Sequence, residues 1–511
     1  MYDLLTEPLI EARLPGGEVR QLSLSEVLAS LAASRIEAFT RLQRHQRHAW
    51  HAFLVQLAAM ALHRGGMSAP PKEEATWTEL LRGLTPDFPG DEPWHLVTQD
   101  LRKPAFFQSP VPEGSLSRFK GPFASPDEID VLVTSKDHDV KMARIRHALQ
   151  SHWLHTLVTL QTMEGFLGQG NYGISRMNGG FASRPCVSVV AGQGWCARFL
   201  RDLRILLDSR NRLLEAHGHF LGEGGKCLLW LDPWDGQSLL SIDRMDPYYV
   251  EICRRIRLVQ ESGRLMAWTT PTKKERVAAK AFKGNLGDPW TPIKVDGPSA
   301  LTVGQGGFTY RLLQQVLFTR EYEPSACQKV YPSDPEEGLE ILTEVMARGQ
   351  GKTEGLHERR VPIPAEVRAL IALDEGRDRL ATRARQCVED AGTMVKAALR
   401  PALLALVQGG PDKLNMQDER PRKWVEEFDR QVNAVFFEDL WECISLEDDD
   451  ARQRWQERLV SLAKEVLAEA KQSVALPASR LYRSIAASDR CFFGSVHNHF
   501  PLLHRHRKEA R

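Results

Sequence analysis

The sequence predicts an α+β protein, in which a large mixed α/β N-terminal domain is followed by a C-terminal antiparallel four-helix bundle. Its 511 residues are too many for one ordinary hydrophobic core, so two or three domains are expected. Up to residue 362, segments with helical spacing alternate with short β-like runs and with stretches rich in glycine and proline. Further on, apolar residues recur at spacings of three and four with few glycines, which is typical of packed helices. The predicted domains are residues 1–362 and 363–511.

In the N-terminal domain, helices and short strands are predicted from apolar spacing and from the residues that cap or interrupt them. One helix is capped by Ser23 or Ser25 and ends at residue 31, and the other predicted helices cover residues 46–63, 144–164, 195–216, 308–318 and 337–347. The predicted strands cover residues 4–10, 19–22, 186–190, 227–231 and 252–260, and the last of them turns at Ser262-Gly263.

The C-terminal domain is predicted to contain four helices, over residues 366–406, 422–444, 448–470 and 477–487. A Gly-Gly-Pro sequence at residues 409–411 and an acidic turn at residues 447–450 separate them. Aromatic side chains at helical spacing are predicted to form the core of the bundle: Trp424, Phe428, Phe436, Trp441 and Trp455.

Composition and charge exclude several classes of protein. The 67 Lys and Arg residues nearly balance the 66 Asp and Glu residues, so a site for DNA or RNA must be local. The N-terminus lacks the pattern of a secretory leader, and no apolar run reaches about 18 residues, so a cytoplasmic protein is predicted. The eight cysteines form no C-x-x-C pair, which argues against a zinc knuckle and a disulfide scaffold. We therefore predict no metal and no cofactor.

Residues 165–180 form the most unusual stretch, because six glycines in sixteen residues are incompatible with a helix or a regular strand. Such a loop needs positive φ angles or a close backbone approach. Gln169, Asn171, Arg176 and Asn178 give the loop hydrogen-bonding side chains suited to nucleic acid, although a flexible lid is an alternative. Because the loop follows a helix and not a strand, it is not a dinucleotide-binding motif.

The most basic part of the chain follows this loop. The predicted strand 252–260 carries Arg254, Arg255 and Arg257 between apolar positions, and residues 273–283 continue the positive run. A basic strand of this kind can track a phosphate backbone, whereas exposed arginines on a solvated face are the alternative.

Residues 349–360 resemble a phosphate-binding loop only superficially. Gly351-Lys352-Thr353 would need a glycine at position 346, where the chain has Met346, and Pro362 prevents the helix that such a loop must open. We therefore expect a glycine-flexible basic loop that approaches a phosphate backbone or a base pair closely.

A second enzyme hypothesis rests on histidines near the end of the sequence. His497 and His499, with His504 and His506 nearby, superficially resemble a histidine nuclease or a metal site. The neighbouring arginines and lysine favour a solvated basic tail. An NTPase, a nuclease and a scaffold without DNA contact all remain alternatives at this stage.

Several segments in this order resemble the CasA family, the large subunit of the type I-E CRISPR Cascade surveillance complex. They are the Leu-Leu-Thr-Glu-Pro-Leu-Ile sequence at residues 4–10, the Phe-Phe-Gln sequence at residues 106–108, the glycine loop after a helix, and residues 349–360 before a helical C-terminal part. The resemblance implies an α/β domain followed by a four-helix bundle, and a subunit that is not an enzyme. It also implies recognition of the protospacer-adjacent motif in double-stranded target DNA, promotion of duplex opening and R-loop formation, and recruitment of a helicase-nuclease in antiviral defence.

The resemblance also implies which residues contact DNA. The glycine loop, which reads the minor groove, corresponds to Gly168, Gln169, Gly170 and Asn171. A wedge at the tip of a β-hairpin corresponds to Lys352, Thr353 and Glu354, anchored by Glu358-Arg359-Arg360, and a basic finger corresponds to Arg255 or Arg257. Some members carry Asn-Gln-Ala in the wedge, so the side chain that separates the first base pair is open. Other members bind zinc through C-x-x-C pairs, which this chain lacks.

Overall fold

The structure is a computed structural model that describes residues 2–131, 145, 147–180, 182–192, 194–349, 352–371 and 374–504. The chain divides into two compact units. The first contains Met1–Phe308 and Glu321–Pro362, and the second contains Thr309–Arg320 and Ile363–Arg511. Several sequence features lie outside the described residues, namely Gln350 and Gly351 of the predicted loop, His506 and the rest of the basic tail, and Arg144 and Arg146 of the predicted helix 144–164, which begins only at Gln150.

Helices and strands alternate along the first unit and only helices follow beyond it. The helices are α1 (Leu24–Ala32), α2 (Arg47–Arg64), α3 (Glu74–Arg82), α4 (Gln150–Met163), α5 (Trp195–Ala216), α6 (Tyr310–Phe318), α7 (Ala365–Ile371), α8 (Asp374–Thr393), α9 (Arg400–Val407), α10 (Arg422–Glu442), α11 (Asp448–Ser473) and α12 (Ala478–His499). The strands are β1 (Ile10–Arg13), β2 (Val19–Leu22), β3 (Ala38–Phe39), β4 (Lys120–Phe123), β5 (Cys186–Ala191), β6 (Lys226–Leu228), β7 (Met245–Val250), β8 (Arg255–Glu261), β9 (Arg264–Thr270), β10 (Ile293–Lys294), β11 (Ser299–Ala300), β12 (Tyr322–Glu323), β13 (Leu339–Gly349) and β14 (Lys352–Ile363).

The first unit is built around α2. Fifteen of the eighteen residues of this helix are buried, so it lies inside the unit with nearly every face covered. It packs against α4, α5 and β7. Small sheets surround this helical centre, among them β14-β13-β5 and β4-β9-β8, each with β13 or β9 in the middle.

Two hairpins of the first unit carry the segments that the sequence singled out. Strands β8 and β9 pair from Arg255 opposite Thr270 to Glu261 opposite Arg264. The turn between them is the predicted Ser262-Gly263 pair, whose φ angles of 50° and 78° are those of a tight hairpin turn. The second hairpin consists of β13 and β14, and it contains the predicted wedge.

Two predicted elements differ from the structure. Residues 4–10 were expected to form a strand, but residues 4–6 form a turn and strand β1 covers Ile10–Arg13. Residues 337–347 were expected to form a helix, but Leu339–Gly349 is strand β13. This strand lies between β14 and β5, and nine of its eleven residues are buried. A strand that is covered on both faces has a nearly continuous apolar run, which periodicity alone does not distinguish from a buried helix.

The second unit is the predicted antiparallel four-helix bundle. Its first long helix runs through α8, a π-helical turn at Met394–Leu399, and α9. The π turn ends two residues before Pro401, which lacks an N–H group and crowds the carbonyl four residues earlier. Ion pairs Arg454–Glu442 (2.7 Å) and Arg458–Asp439 (3.3 Å) show that α10 and α11 run antiparallel. The predicted fold class is confirmed.

A short helix from earlier in the sequence belongs to this second unit. Helix α6 begins at Tyr310, whose amide donates to the Asn433 side chain at 2.7 Å. The guanidinium of Arg311 pairs with Asp429 at 2.6 Å. Residues 309–320 therefore pack with the helical unit although they precede the predicted boundary at residue 362. In the described part of the chain, no helix is both long and apolar enough to span a membrane.

We expect the aromatic core to dominate the stability of the bundle. Phe436 is 1% exposed and packs edge-on against Trp455 at 5.8 Å. Replacing it in the variant Phe436→Ala should lower the free energy of unfolding by about 3–5 kcal/mol, because buried aromatic area is lost and a cavity remains. Chemical denaturation measures this change. The control Phe493→Ala, at a position 51% exposed, should change stability little, and equal losses in both variants would contradict the assignment of the core.

Candidate nucleic-acid interface

The glycine-rich loop of residues 165–180 begins directly after α4 and contains a tight turn at its tip. The amide of Leu167 donates to the carbonyl of Asn171 at 3.0 Å, and the amide of Asn171 donates to the carbonyl of Gly168 at 3.0 Å. Gly168 and Gly170 have φ angles of 115° and 91°, in the region that favours glycine. The prediction that this loop needs positive φ angles is confirmed.

The tip of this loop lies against the start of the basic segment 271–283. The amide of Thr272 donates to the carbonyl of Gly170 at 2.9 Å. A Cβ atom added at Gly170 would come within 2.9 Å of the Pro271 Cβ atom, which is closer than real Cβ atoms approach other atoms. Glycine at this position therefore has two causes, the backbone conformation and the close approach of a neighbouring segment.

Exposed polar and basic side chains surround the tip. The side chains of Gln169 and Asn171 are exposed, and so are those of Lys273 and Lys274, which follow the hydrogen bond to the loop. In the sequence these lysines are only part of a basic run. In the structure, the start of this basic run lies against the tip of the glycine loop, and sequence spacing alone does not reveal this proximity.

Arg176, predicted to contact DNA, lies in the interior instead. Its side chain is 2% exposed, and its guanidinium lies 3.8 Å from the centre of the Tyr249 ring. It donates to the carbonyl oxygens of Tyr249 (2.8 Å) and Pro247 (3.3 Å) and pairs with Glu251 at 3.7 Å. Arg176 therefore holds the loop on β7, and in this structure it is not available to a ligand.

The two candidates for the basic finger also differ from the expectation. Arg257 is fully buried, donates to Thr98 Oγ1 at 2.6 Å and to the Lys103 carbonyl at 3.1 Å, and burial lowers its pKa to about 10. It ties β8 to an irregular segment of the interior. The Arg255 side chain is only 9% exposed, because it pairs with Glu113 at 3.5 Å and its guanidinium lies over the Phe119 ring. Lys273 and Lys274 at the tip are exposed instead.

A buried carboxylate joins the glycine loop to both hairpins. Glu164, the last residue before the loop, is 1% exposed. It accepts from Arg254 Nη2 at 2.9 Å and forms an ion pair with Arg348 of β13. Arg254 also donates to the carbonyls of Gly165 (3.0 Å) and Tyr172 within the loop. We call Glu164, Arg254 and Arg348 the buried ion cluster.

The same cluster extends to the predicted wedge. Arg348 donates to the hydroxyl of Thr353, which in turn donates to the Val131 carbonyl at 2.8 Å. Thr353 is fully buried, and Glu354 is half-buried. Lys352 is the first residue of β14, and its side chain lies outside the described residues. Of the three predicted wedge residues, Thr353 therefore anchors the hairpin and does not project from it.

The predicted loop 349–360 is mostly strand β14. The anchor residues of the wedge alternate along this strand: Glu358 pairs with Arg44 at 3.0 Å, and Arg360 pairs with Glu340 at 2.6 Å. Arg359 donates to the Phe308 carbonyl at 3.1 Å, and burial lowers its pKa to about 10. The expectation of a flexible loop is wrong here, because pairing with β13 satisfies the backbone.

One group of possible metal ligands occurs among the described residues. Side-chain atoms of His48, Cys186 and Glu344 lie within 4.8 Å of one another, and all three residues are buried. Arg198, however, donates to Glu344 (3.3 Å) and to Cys186 Sγ (3.5 Å). A guanidinium already supplies the positive charge here, and burial raises the pKa of the Cys186 thiol, so this arrangement favours an ion pair over a bound cation.

We expect the variant Glu164→Gln to loosen the glycine loop. Removing the carboxylate takes the counter-charge from the buried guanidinium of Arg254 and weakens the charge balance of buried Arg348, which should cost about 3–5 kcal/mol. Thermal unfolding measures the loss, and hydrogen exchange of residues 165–174 should become faster. Glu79→Gln is the control, since its partner Arg82 is exposed and such pairs contribute about 0–1 kcal/mol. Unchanged loop exchange in Glu164→Gln would contradict the role of the cluster.

Comparisons with known proteins give matches among solved structures. No protein-family model and no curated protein matches the chain. Thermus thermophilus CasA (Cse1) is 14% identical, with a TM-score of 0.65 over 97% of this chain and 99% of that chain. Cse1 from Acidimicrobium ferrooxidans is 16% identical, with a TM-score of 0.60 over 97% and 98%. A chain of a "CRISPR RNA-guided surveillance complex" is 12% identical, with a TM-score of 0.60 over 96% and 99%.

These likenesses cover nearly the full length of both chains in each comparison, so they include the mixed unit and the helical unit. At such low identity they concern the fold. The resemblance inferred from the sequence is thereby confirmed, and the chain has the fold of the CasA/Cse1 structures.

Proposed function

We propose that the chain is the non-catalytic large subunit of a cytoplasmic guide-RNA surveillance complex in CRISPR antiviral defence. In this role it recognises the protospacer-adjacent motif in double-stranded target DNA, promotes duplex opening and R-loop formation, and helps to recruit the helicase-nuclease. The observation that carries the proposal is the likeness, over nearly the whole chain, to CasA/Cse1 structures and to a chain of an RNA-guided surveillance complex.

The tip of the glycine loop supports motif reading. Gly168 presents partly exposed backbone with open space where a Cβ atom would lie, which permits close approach to a groove, and Gln169 and Asn171 offer exposed amide groups. Gly170 is buried against Pro271 and supports the turn instead of contacting DNA. The minor groove carries a degenerate pattern of donors and acceptors. Such a tip therefore accepts several related motifs and excludes others through sterics and the guanine amino group.

The exposed lysines beside the tip suit the phosphate backbone. Lys273 and Lys274 come directly after Thr272, whose amide donates to the carbonyl of Gly170. The two cations and the tip of the glycine loop therefore approach the same duplex together. Lysine contacts to phosphates supply affinity that does not depend on sequence, while contacts to base edges supply specificity. We assign the basic finger to these lysines and not to Arg257, which is buried.

Hairpin β13–β14 suits a role in duplex opening. The end of the hairpin nearest its turn is held by the buried ion cluster through Arg348 and by Thr353. Unstacking a base step costs on the order of a few kcal/mol, and pairing of the guide RNA with the target strand offsets that cost. Of the predicted wedge residues, Lys352 and Glu354 are the candidates for contact with the separated pair.

The proposed role breaks no covalent bond. The fold also disfavours the NTPase alternative, because a strand stands where a phosphate-binding loop requires a helix. Gly351-Lys352-Thr353 would need to open a helix whose N-terminal amides bind phosphate. Strand β14 begins at Lys352 instead. A scaffold that joins other subunits without touching DNA remains the competing account, and the next experiment distinguishes the two.

We expect the protein to strengthen target binding only beside an intact motif. Complexes reconstituted with guide RNA, with and without this chain, are compared on double-stranded targets with an intact or a scrambled flanking motif. Reading the motif should give a difference of at least about tenfold in Kd, which corresponds to about 1.4 kcal/mol. Equal binding to both targets would leave the scaffold or a nonspecific clamp as the better account.

The double variant Lys273→Ala/Lys274→Ala should weaken binding to targets with either motif by a similar factor. The slope of log K against log salt concentration should fall by about 1 for each phosphate group that a lysine no longer neutralises. Lys294→Ala is the control, an exposed lysine on β10. If the control and the double variant change the salt slope equally, these lysines are not the finger.

A further inference from the structure

A cavity of about 280 Å³ lies behind the tip of the glycine loop. One wall comes from the loop itself and the other from the basic segment that follows β9. Its lining includes Phe166, Tyr172, Ile174, Met177, Val277 and Lys280. Its volume is near the lower end of the range for small-molecule sites, about 300 Å³, so it suits a single planar ring system better than a large ligand.

Two aromatic rings line this cavity. The centroids of Phe166 and Tyr172 lie 5.8 Å apart with an angle of 48° between the ring planes, and both residues are half-buried. Aromatic side chains that remain partly accessible provide stacking surfaces for unpaired bases. Ile174, Met177 and Val277 are buried and give the cavity an apolar floor.

The rim of the cavity is charged in a way that suits a nucleotide. Lys280 is exposed at the rim, and the same segment carries exposed Lys273, Lys274 and Lys283, which attract a phosphate backbone. Glu275 also lines the cavity, and its carboxylate can accept a hydrogen bond from the exocyclic amino group of a base. An apolar floor, aromatic walls and a mostly basic rim are the requirements of a site for one unstacked base.

The cavity is close to where a duplex would be opened. Gly170 at the tip and Tyr172 in the cavity wall are two residues apart, which an extended chain spans in at most about 7 Å. Successive bases of one strand are about 3.4 Å apart. A base one or two steps from the tip is therefore within reach of the cavity.

We propose that this cavity binds one unstacked base of the opened target duplex beside the motif, with Phe166 and Tyr172 as the stacking surface. This inference rests on the proposed function of the glycine loop. It adds a second role to the loop: the tip contacts the closed duplex, and the cavity behind it stabilises the open one.

The test uses target DNA with 5-iodouracil at single positions flanking the motif, bound to the reconstituted complex and irradiated. We expect a crosslink at one position, mapped by mass spectrometry to Tyr172 or Phe166. The double variant Phe166→Leu/Tyr172→Leu keeps the apolar volume and removes both rings. It should lower the fraction of opened duplex, measured by permanganate reactivity, about tenfold, as expected for the loss of base stacking.

The matched control is Phe282→Leu, because Phe282 is a half-buried aromatic residue of the same basic segment whose ring packs on His219 at 4.7 Å. It should leave both crosslink and opening unchanged. Motif-dependent binding of the closed duplex is measured in the same samples. If that binding is intact but no crosslink forms and the double variant opens DNA normally, the cavity inference alone is overturned.

Two other results are also informative. If motif-dependent binding is absent from the wild-type complex, the proposed function itself fails. If the double variant impairs assembly of the complex while no crosslink forms, the cavity holds a side chain of another subunit, and the base-binding inference is wrong.

Discussion

One buried carboxylate ties the origin of the glycine loop to both hairpins of the first unit. Glu164 lies between the guanidinium groups of Arg254 and Arg348, and these three residues belong to the start of the glycine loop, the start of hairpin β8–β9 and hairpin β13–β14. A buried charge is tolerated only when it is paired and hydrogen-bonded, so none of the three segments moves without exposing or unpairing a charge. Residues outside the glycine-rich loop thus hold its first residues in place.

Much of the fold follows from patterns in the sequence. The helical bundle is predictable because its helices have one apolar face, and the turn at Ser262-Gly263 is predictable because few residues adopt positive φ angles. Strand β13 is not predictable in this way. It is buried on both faces, so it lacks the alternation that identifies a strand, and its type depends on pairing with β14 and with β5, which lies far earlier in the sequence.

Some residues of the candidate site could also be predicted from the sequence, and others could not. Glycine density identifies the loop because glycine has a specific backbone consequence. Arginine does not require a particular backbone conformation. The sequence therefore does not distinguish arginines that face solvent from Arg176 and Arg257, which donate to main-chain carbonyls in the interior. Arginine is well suited to such interior roles because its planar group donates several hydrogen bonds at once. Lysine is a strongly hydrated point charge, and the exposed pair beside the loop tip is of that type.

The π turn before Pro401 divides the first helix of the bundle into two registers. A π turn contains about one residue more than an α turn, so the residues after it are rotated by roughly 100° about the helix axis. Helix α8 packs against α6 and α11, whereas α9 packs mainly against α12. The continuous helix therefore has one apolar face along α8 and a differently oriented one along α9. An insertion or deletion of a single residue within Met394–Leu399 would change which neighbours the second half can meet, without breaking the helix.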